Sequence, residues 1–252
     1  VRIMAYTTID DPSVYFQTAL WSGNGSAGTS ITNDGNSDLQ PDWFWAKVRN
    51  HTYNHIVLDS TRGLTKRIIP NSTDAEDTFS GFMDSFDTDG FTLDNDVNTN
   101  ESGKTYVAWQ WKANGGTTTS FSASGSQLAG TRQSNTTAGF SIITYTGDGN
   151  NNATIPHGLN SAPKFVIIKD RGNSTNWYVG HDGTFTTGEI FLNLSNAVAA
   201  AFGPFNKTAP TASNIVLGTD GNVNGSSDTM ICYAWAEIQG YSKFGSYKGN
   251  GE

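Results

Sequence analysis

Between Thr105 and Trp111 the side chains alternate with a period of two. Thr105, Val107, Trp109 and Trp111 fall on one face, and Tyr106, Ala108 and Gln110 on the other. That period predicts a β-strand. The alternation returns at Thr229, Ile231, Tyr233 and Trp235, with Met230, Cys232, Ala234 and Ala236 opposite. The two strands are copies. At an offset of 124 residues, Leu93, Asp96, Asn98, Asn100, Ser102, Thr105 and Trp111 recur as Leu217, Asp220, Asn222, Asn224, Ser226, Thr229 and Trp235. An internal repeat of this kind constrains the whole architecture.

Other blocks follow in the same order. The run from Tyr15 to Gly25 is echoed from Phe140 to Gly149, with Trp21, Gly23 and Gly25 matching Tyr145, Gly147 and Gly149. Pro41, Lys47 and Arg49 recur as Pro163, Lys169 and Arg171 at an offset of 122, as does the block at Asn71 in the block at Asn193. The changed offset marks a two-residue deletion in a loop, where such changes are tolerated. The pattern predicts an all-β chain of two tandem, internally duplicated β-sandwich domains with jelly-roll-like packing. Residues 1–14 form an N-terminal extension, 15–113 the first repeat and 140–239 the second. The Gly/Ser/Thr-rich stretch 114–139 reads as a flexible linker, although alternation at Ser120–Ala123 also permits a short edge strand. Residues 240–252 read as a C-terminal strand or the start of a truncated third repeat. The large faces carrying Trp43, Trp45, Trp109, Trp111, Tyr233 and Trp235 are expected to pack across each sandwich. The small faces are left for a neighbouring domain.

Composition agrees with strands joined by polar turns: charged residues are 15% and aromatic residues 12%. A net charge of −8 with 15 scattered Lys and Arg excludes a phosphate-binding face, so no nucleic-acid partner is expected. Cys232 is the single cysteine, which rules out an intrachain disulfide or a thiolate metal cluster. No apolar run reaches the roughly 18 residues that span a bilayer. The chain begins at Val1 without Met, which reads as a processed start or a fragment.

Candidate chemistry is sparse. Asp87, Asp89, Asp94 and Asp96 crowd around Gly90 and make a weak calcium-loop candidate, but their spacing does not fit an EF-hand and the alternative is a polar turn. The four histidines lack a zinc spacing, and no G-x-S-x-G turn is present. No catalytic residue, metal site or cofactor is therefore assigned, and the chain reads as a non-enzyme. Trp109 and Trp111 would suit a sugar-stacking platform, yet their echoes Tyr233 and Trp235 follow a core-like pattern. Asn-x-Ser/Thr sequons start at Asn24, Asn50, Asn71, Asn100, Asn135, Asn152, Asn173, Asn193, Asn206 and Asn224. Chance would give roughly five, so N-glycosylation on an extracellular surface is a candidate modification. Duplicated turn chemistry also accounts for several of them.

The blocks WFWAKVR at Trp43, DSTRG at Asp59, TYVAWQWK at Thr105, AGFSIITYTG at Ala138, PKFVIIKDR at Pro163 and AEIQGYSKFGSY at Ala236 carry a resemblance. Together with His157-Gly158-Leu159, they resemble a domain of uncharacterised function that recurs in tail-fibre and other virion proteins of tailed phages, notably marine ones. The resemblance runs from about residue 15 to the end. It implies a β-rich structural protein at a virion surface, a tail fibre or adhesin, and transfers no site residues. Fibres multiply weak contacts by symmetry, so the expected partners are further copies of the chain, other virion or surface-assembly proteins and cell-surface glycans. A glycosylated extracellular filament or surface layer, a carbohydrate-binding module and a depolymerase are the rival readings.

Overall fold

The computed structural model describes residues 6–200 and 203–250. The chain is all-β, built from several antiparallel sheets of which none closes into a barrel. Its first copy contains β1 (Phe16–Ser22), β2 (Thr29–Ile31), β3 (Trp43–Val48), β4 (Ile56–Asp59), β5 (Lys66–Arg67), β6 (Asp77–Thr78), β7 (Met83–Asp87), β8 (Gly90–Leu93), the short helix α1 (Val97–Asn100) and β9 (Thr105–Trp111). Then come β10 (Thr119–Phe121) and β11 (Gly130–Asn135). The second copy holds β12 (Phe140–Thr146), β13 (Ala153–Pro156), β14 (Pro163–Asp170), β15 (Tyr178–His181), β16 (Ile190–Phe191), β17 (Asn214–Leu217), α2 (Gly221–Asn224) and β18 (Thr229–Ala236).

The repeat reappears as strand order. One sheet runs β1-β9-β3-β4, and the seven-stranded sheet contains β12-β18-β14-β15 in the equivalent order. Each copy adds a smaller sheet, β2-β8-β7 in the first and β13-β17 in the second. The opening alternation lies at the centre of this plan. In β9, Trp111 pairs with Phe16 on one side and Trp43 on the other. In β18, Trp235 pairs with Phe140 and Phe165.

Two close contacts explain repeated sequence features. Gly23 and Gly147 are equivalent, and a Cβ on either would run into the backbone carbonyl of Glu101 or Gly225. The helices α1 and α2 are capped by Asp96 and Asp220, whose carboxylates accept from the N–H of Asn98 and Asn222 at 2.8 Å each.

The segment 114–139 differs from a flexible linker. It supplies β10 and β11, and β11 pairs along the whole of β12 from Gly130–Tyr145 to Asn135–Phe140. An open edge of β12 would leave a row of unpaired backbone groups, and β11 satisfies them. At the other end, Ile238 and Ser242 form only an isolated bridge, and residues 243–250 carry no strand. The predicted C-terminal strand is thus a turn followed by an exposed tail, with residues 251–252 outside the described residues. Of the predicted extension 1–14, residues 1–5 also lie outside them.

The two faces of the central strands are used in the opposite sense to expectation. The small face packs within its own copy: Tyr106 and Ala108 join Phe44, Ala46, Phe91 and Leu93 in one core. Met230, Cys232 and Ala234 likewise join Val166, Ile168, Ile215 and Leu217 in another. The large face looks toward the other copy. Trp43, Val57 and Ile68 of the first copy form a third core with Phe140, Ile142, Ile167, Ile231, Tyr233 and Trp235 of the second. A sheet has two sides, and here both are apolar, so alternation separates the faces without saying which neighbour each one meets.

Candidate functional site

The third core is filled on one side and open on the other. Trp43 packs its ring against Phe140 at 6.2 Å, Tyr233 at 5.3 Å and Trp235 at 5.6 Å. By repeat equivalence the counterpart contacts would join Phe165 to Phe16, Trp109 and Trp111. Among the described residues Phe165 meets none of these three rings; all four line a cavity of about 600 Å³. Phe165 stands where the first copy has the larger Trp43. That volume lies within the range of small-molecule sites, roughly 300–1,000 Å³.

Three tryptophans, Trp45, Trp109 and Trp111, remain half-buried on the cavity wall. Register explains their grouping: Trp45 lies directly across from Trp109 in the β3–β9 pair, and Trp43 from Trp111. The C-terminal turn closes one side. Phe244 stacks on Phe165 at 5.7 Å with ring planes 6° apart, and Tyr241 meets Tyr15 edge-on at 6.3 Å.

The polar side chains of the cavity, apart from the indoles, are His55, Tyr241, Ser242 and Lys243. Trp45 Nε1 donates to His55 Nδ1 at 2.8 Å. An indole N–H can only donate, so the neutral imidazole carries its proton on Nε2. Burial holds His55 below the usual histidine range, helped by the charge of Lys47. Lys243 is exposed at the mouth, and among the described residues no Asp or Glu lines the cavity.

A separate polar network locks the two copies together. Arg62 is fully buried and donates to Asp59 at 2.6 Å and Glu76 at 3.0 Å. Arg171 reaches Glu76 from the second copy at 2.8 Å, and the Tyr233 hydroxyl donates to Asp59 at 2.7 Å. Burial alone would raise the Glu76 pKa; the bond from Arg171 and the charges of Arg62 and Arg171 outweigh it and hold the carboxyl below its usual range. Asp42 is also buried, accepting from Ser60 and from the backbone of Ala113, Gly115 and Gly116.

A family model described as a domain of unknown function, DUF7483, matches residues 11–252. The chain belongs to that family. No curated protein and no solved structure matches it. In this DUF7483 domain the calcium candidates serve separate turns. Asp87 accepts from Ser85 and Thr92, Asp89 from the Leu39 N–H, Asp94 from the Asn95 N–H, and Asp96 caps α1. Among the described residues no group of three or more His, Cys, Asp or Glu is placed to hold a metal ion.

The sequon asparagines divide by exposure. Asn24, Asn50, Asn71, Asn152 and Asn173 are exposed, while Asn135, Asn193 and Asn206 are half-buried. Asn100 and Asn224 are fully buried and make the same brace in each copy. Asn100 accepts from Asn24 N–H and donates to the carbonyls of Ser26 and Asp94; Asn224 accepts from Asp148 N–H and donates to those of Asn150 and Gly218. Every partner is shifted by 124 residues. Neither amide is free to carry a glycan in the folded domain, which removes these two from the predicted modification sites. The loop around them is a structural brace rather than a site.

The predicted core aromatics split as well. Trp43, Tyr233 and Trp235 are buried, whereas Trp45, Trp109 and Trp111 face the cavity. His55, Lys243 and Phe244 were not singled out by sequence reasoning. Lys243 and Phe244 had one advance signal, the polar-aromatic run after Ala236; His55 had none.

Proposed function

We propose that this DUF7483 domain is a non-enzymatic structural module of a virion surface appendage, of the tail-fibre or adhesin kind, working extracellularly as a homo-oligomer beside other virion proteins. The finer reading of the fold, two tandem β-sandwiches with jelly-roll-like packing, is part of this proposal. It is supported by one core between the large and small sheets of each copy. The observation that carries the functional reading is the third core, which joins the copies through packed aromatic rings and a buried ion network. Flexible linkers let neighbouring modules move; a shared apolar core holds them as one stiff unit. Stiffness of that kind suits a load-bearing appendage. An antibody against the domain, imaged on purified particles by electron microscopy, should decorate projecting fibres. Decoration of host cells with bare particles would instead favour a cellular filament or surface layer.

A second reading, a carbohydrate-binding module, is favoured by the cavity walled by Trp45, Trp109 and Trp111. Indole faces offer area for sugar C–H surfaces at little entropic cost. The two readings are compatible, since an adhesin needs a ligand site. A glycan array probed with the wild-type domain and Trp109→Ala tests it: binding should be lost in the variant, and an array without signal removes the reading.

A further inference from the structure

We infer that the junction cavity takes an acidic saccharide, a pyranose ring bearing a carboxylate, stacked on Trp109 and Trp45 with its carboxylate toward Lys243 and His55. The inference rests on the carbohydrate-binding reading and adds the class of sugar.

The cavity's walls are aromatic faces, so the occupant must present apolar surface of ring size. Besides the indoles, its polar side chains are His55, Tyr241, Ser242 and Lys243: one imidazole, two hydroxyls and one cation. His55 receives the Trp45 indole N–H on Nδ1 at 2.8 Å, which leaves Nε2–H as its open edge. Lys243 is an exposed cation among the residues lining the same cavity. The indole nitrogens of Trp109 and Trp111 donate to no protein atom among the described residues and are not sealed from solvent. Of the two lining hydroxyls, Ser242 is engaged with Ala236 O and Ile238 N, and that of Tyr241 can both donate and accept. Among the described residues no carboxylate lines the cavity, although Asp and Glu outnumber Lys and Arg in the chain by 23 to 15.

A neutral sugar presents hydroxyls, which both donate and accept. It is best met by a mixture of carboxylate, amide and donor groups. A site with a cation, few acceptors and no carboxylate matches few hydroxyl protons, and it favours a ligand rich in acceptor oxygens. An aromatic floor with a cationic rim therefore matches a uronate ring: C–H face down, carboxylate at the rim. The occupant is expected to bind by charge as well as stacking, so its affinity should fall with salt.

The test uses the whole domain and two matched probes, trigalacturonate and the neutral galactose trimer. Binding is followed by tryptophan fluorescence and by isothermal titration. The expected result is saturable binding of trigalacturonate that the neutral trimer does not share. Lys243→Glu should weaken it by about tenfold or more, because an attractive contact becomes a repulsive one. Lys243 is exposed and outside the cores, so this variant should keep the wild-type melting temperature. Trp109→Ala should abolish binding, with melting temperature and far-UV dichroism confirming its fold. Equal binding of both trimers, unaffected by Lys243→Glu, would overturn the acidic-sugar inference while leaving the carbohydrate reading in place. Binding of the neutral trimer alone would do the same. Failure of both trimers and of a broad glycan array would overturn both.

Discussion

Replacing Tyr233 by Phe tests whether the two copies are held by the buried polar network. The Tyr233 ring is fully buried in the third core, and Phe keeps its packing almost intact. Only the hydroxyl is lost. That hydroxyl donates to Asp59 Oδ2 at 2.7 Å and accepts from Arg62 Nη2 at 3.2 Å, across 174 and 171 residues of chain. Both partners have fully buried side chains, so water does not replace the missing group. A hydrogen bond to a charged group contributes about 1.5–3 kcal/mol. Arg62 keeps its bonds to Asp59 and Glu76, so the expected loss is about 2 kcal/mol. For a chain of this size the urea m-value is roughly 3 kcal/mol/M, so the midpoint should fall by about 0.7 M with the slope unchanged. Fluorescence-detected urea unfolding measures this directly. A double-mutant cycle with Asp59→Asn should return a coupling of about 1 kcal/mol or more. A midpoint shift within about 0.1 M of wild type, or additive single effects, would refute a network that bridges the copies.

Asn100→Ala and Asn224→Ala each remove a buried amide with three backbone partners, and each should cost about 1–3 kcal/mol by the same urea assay. In a glycosylating host, peptide mapping should find Asn100 and Asn224 unmodified whatever the occupancy of Asn24 or Asn173. The folded pKa of Glu76 lies below its unfolded value, so its stabilisation is present above the unfolded pKa of about 4.3 and is lost as pH falls through the folded value. Glu76→Gln should flatten the decline in stability below about pH 4.3, and an unchanged acid slope would count against the Arg62–Glu76–Arg171 arrangement. Lys169 shows the opposite case: burial lowers its ammonium to about 8, against about 10.4 in the unfolded chain. Between those values the unfolded chain holds more protons, so the contribution of Lys169 to stability rises with pH, and Lys169→Met should remove that rise relative to wild type.

Much of this organisation is legible in the residues. The offset of 124 locates both copies of the Asn brace before any distance is known, because donor, acceptor and spacing recur together. The capping aspartates Asp96 and Asp220 are legible too, as identical residues at equivalent points. The burial of Asp59 and Arg62 is not. Nothing in the DSTRG block marks its charges as buried, and only the approach of Tyr233 and Arg171 from the other copy makes them an internal network. The cavity is still less accessible. It depends on Phe165 standing where the first copy has Trp43, and that exchange gains meaning only when the two faces are seen opposite each other.

The central strands, their duplication and the membership of their alternating faces are fixed locally, since a period of two follows from backbone geometry. Tertiary structure decided which face became the core of each copy and which became the junction. Both faces are apolar, and a strand carries no mark of the layer it will meet. Tertiary structure likewise turned 114–139 into paired strands, because the edge of β12 needed partners. It also left Trp109 half-buried on a cavity wall, where its equivalent Tyr233 is packed against Trp43.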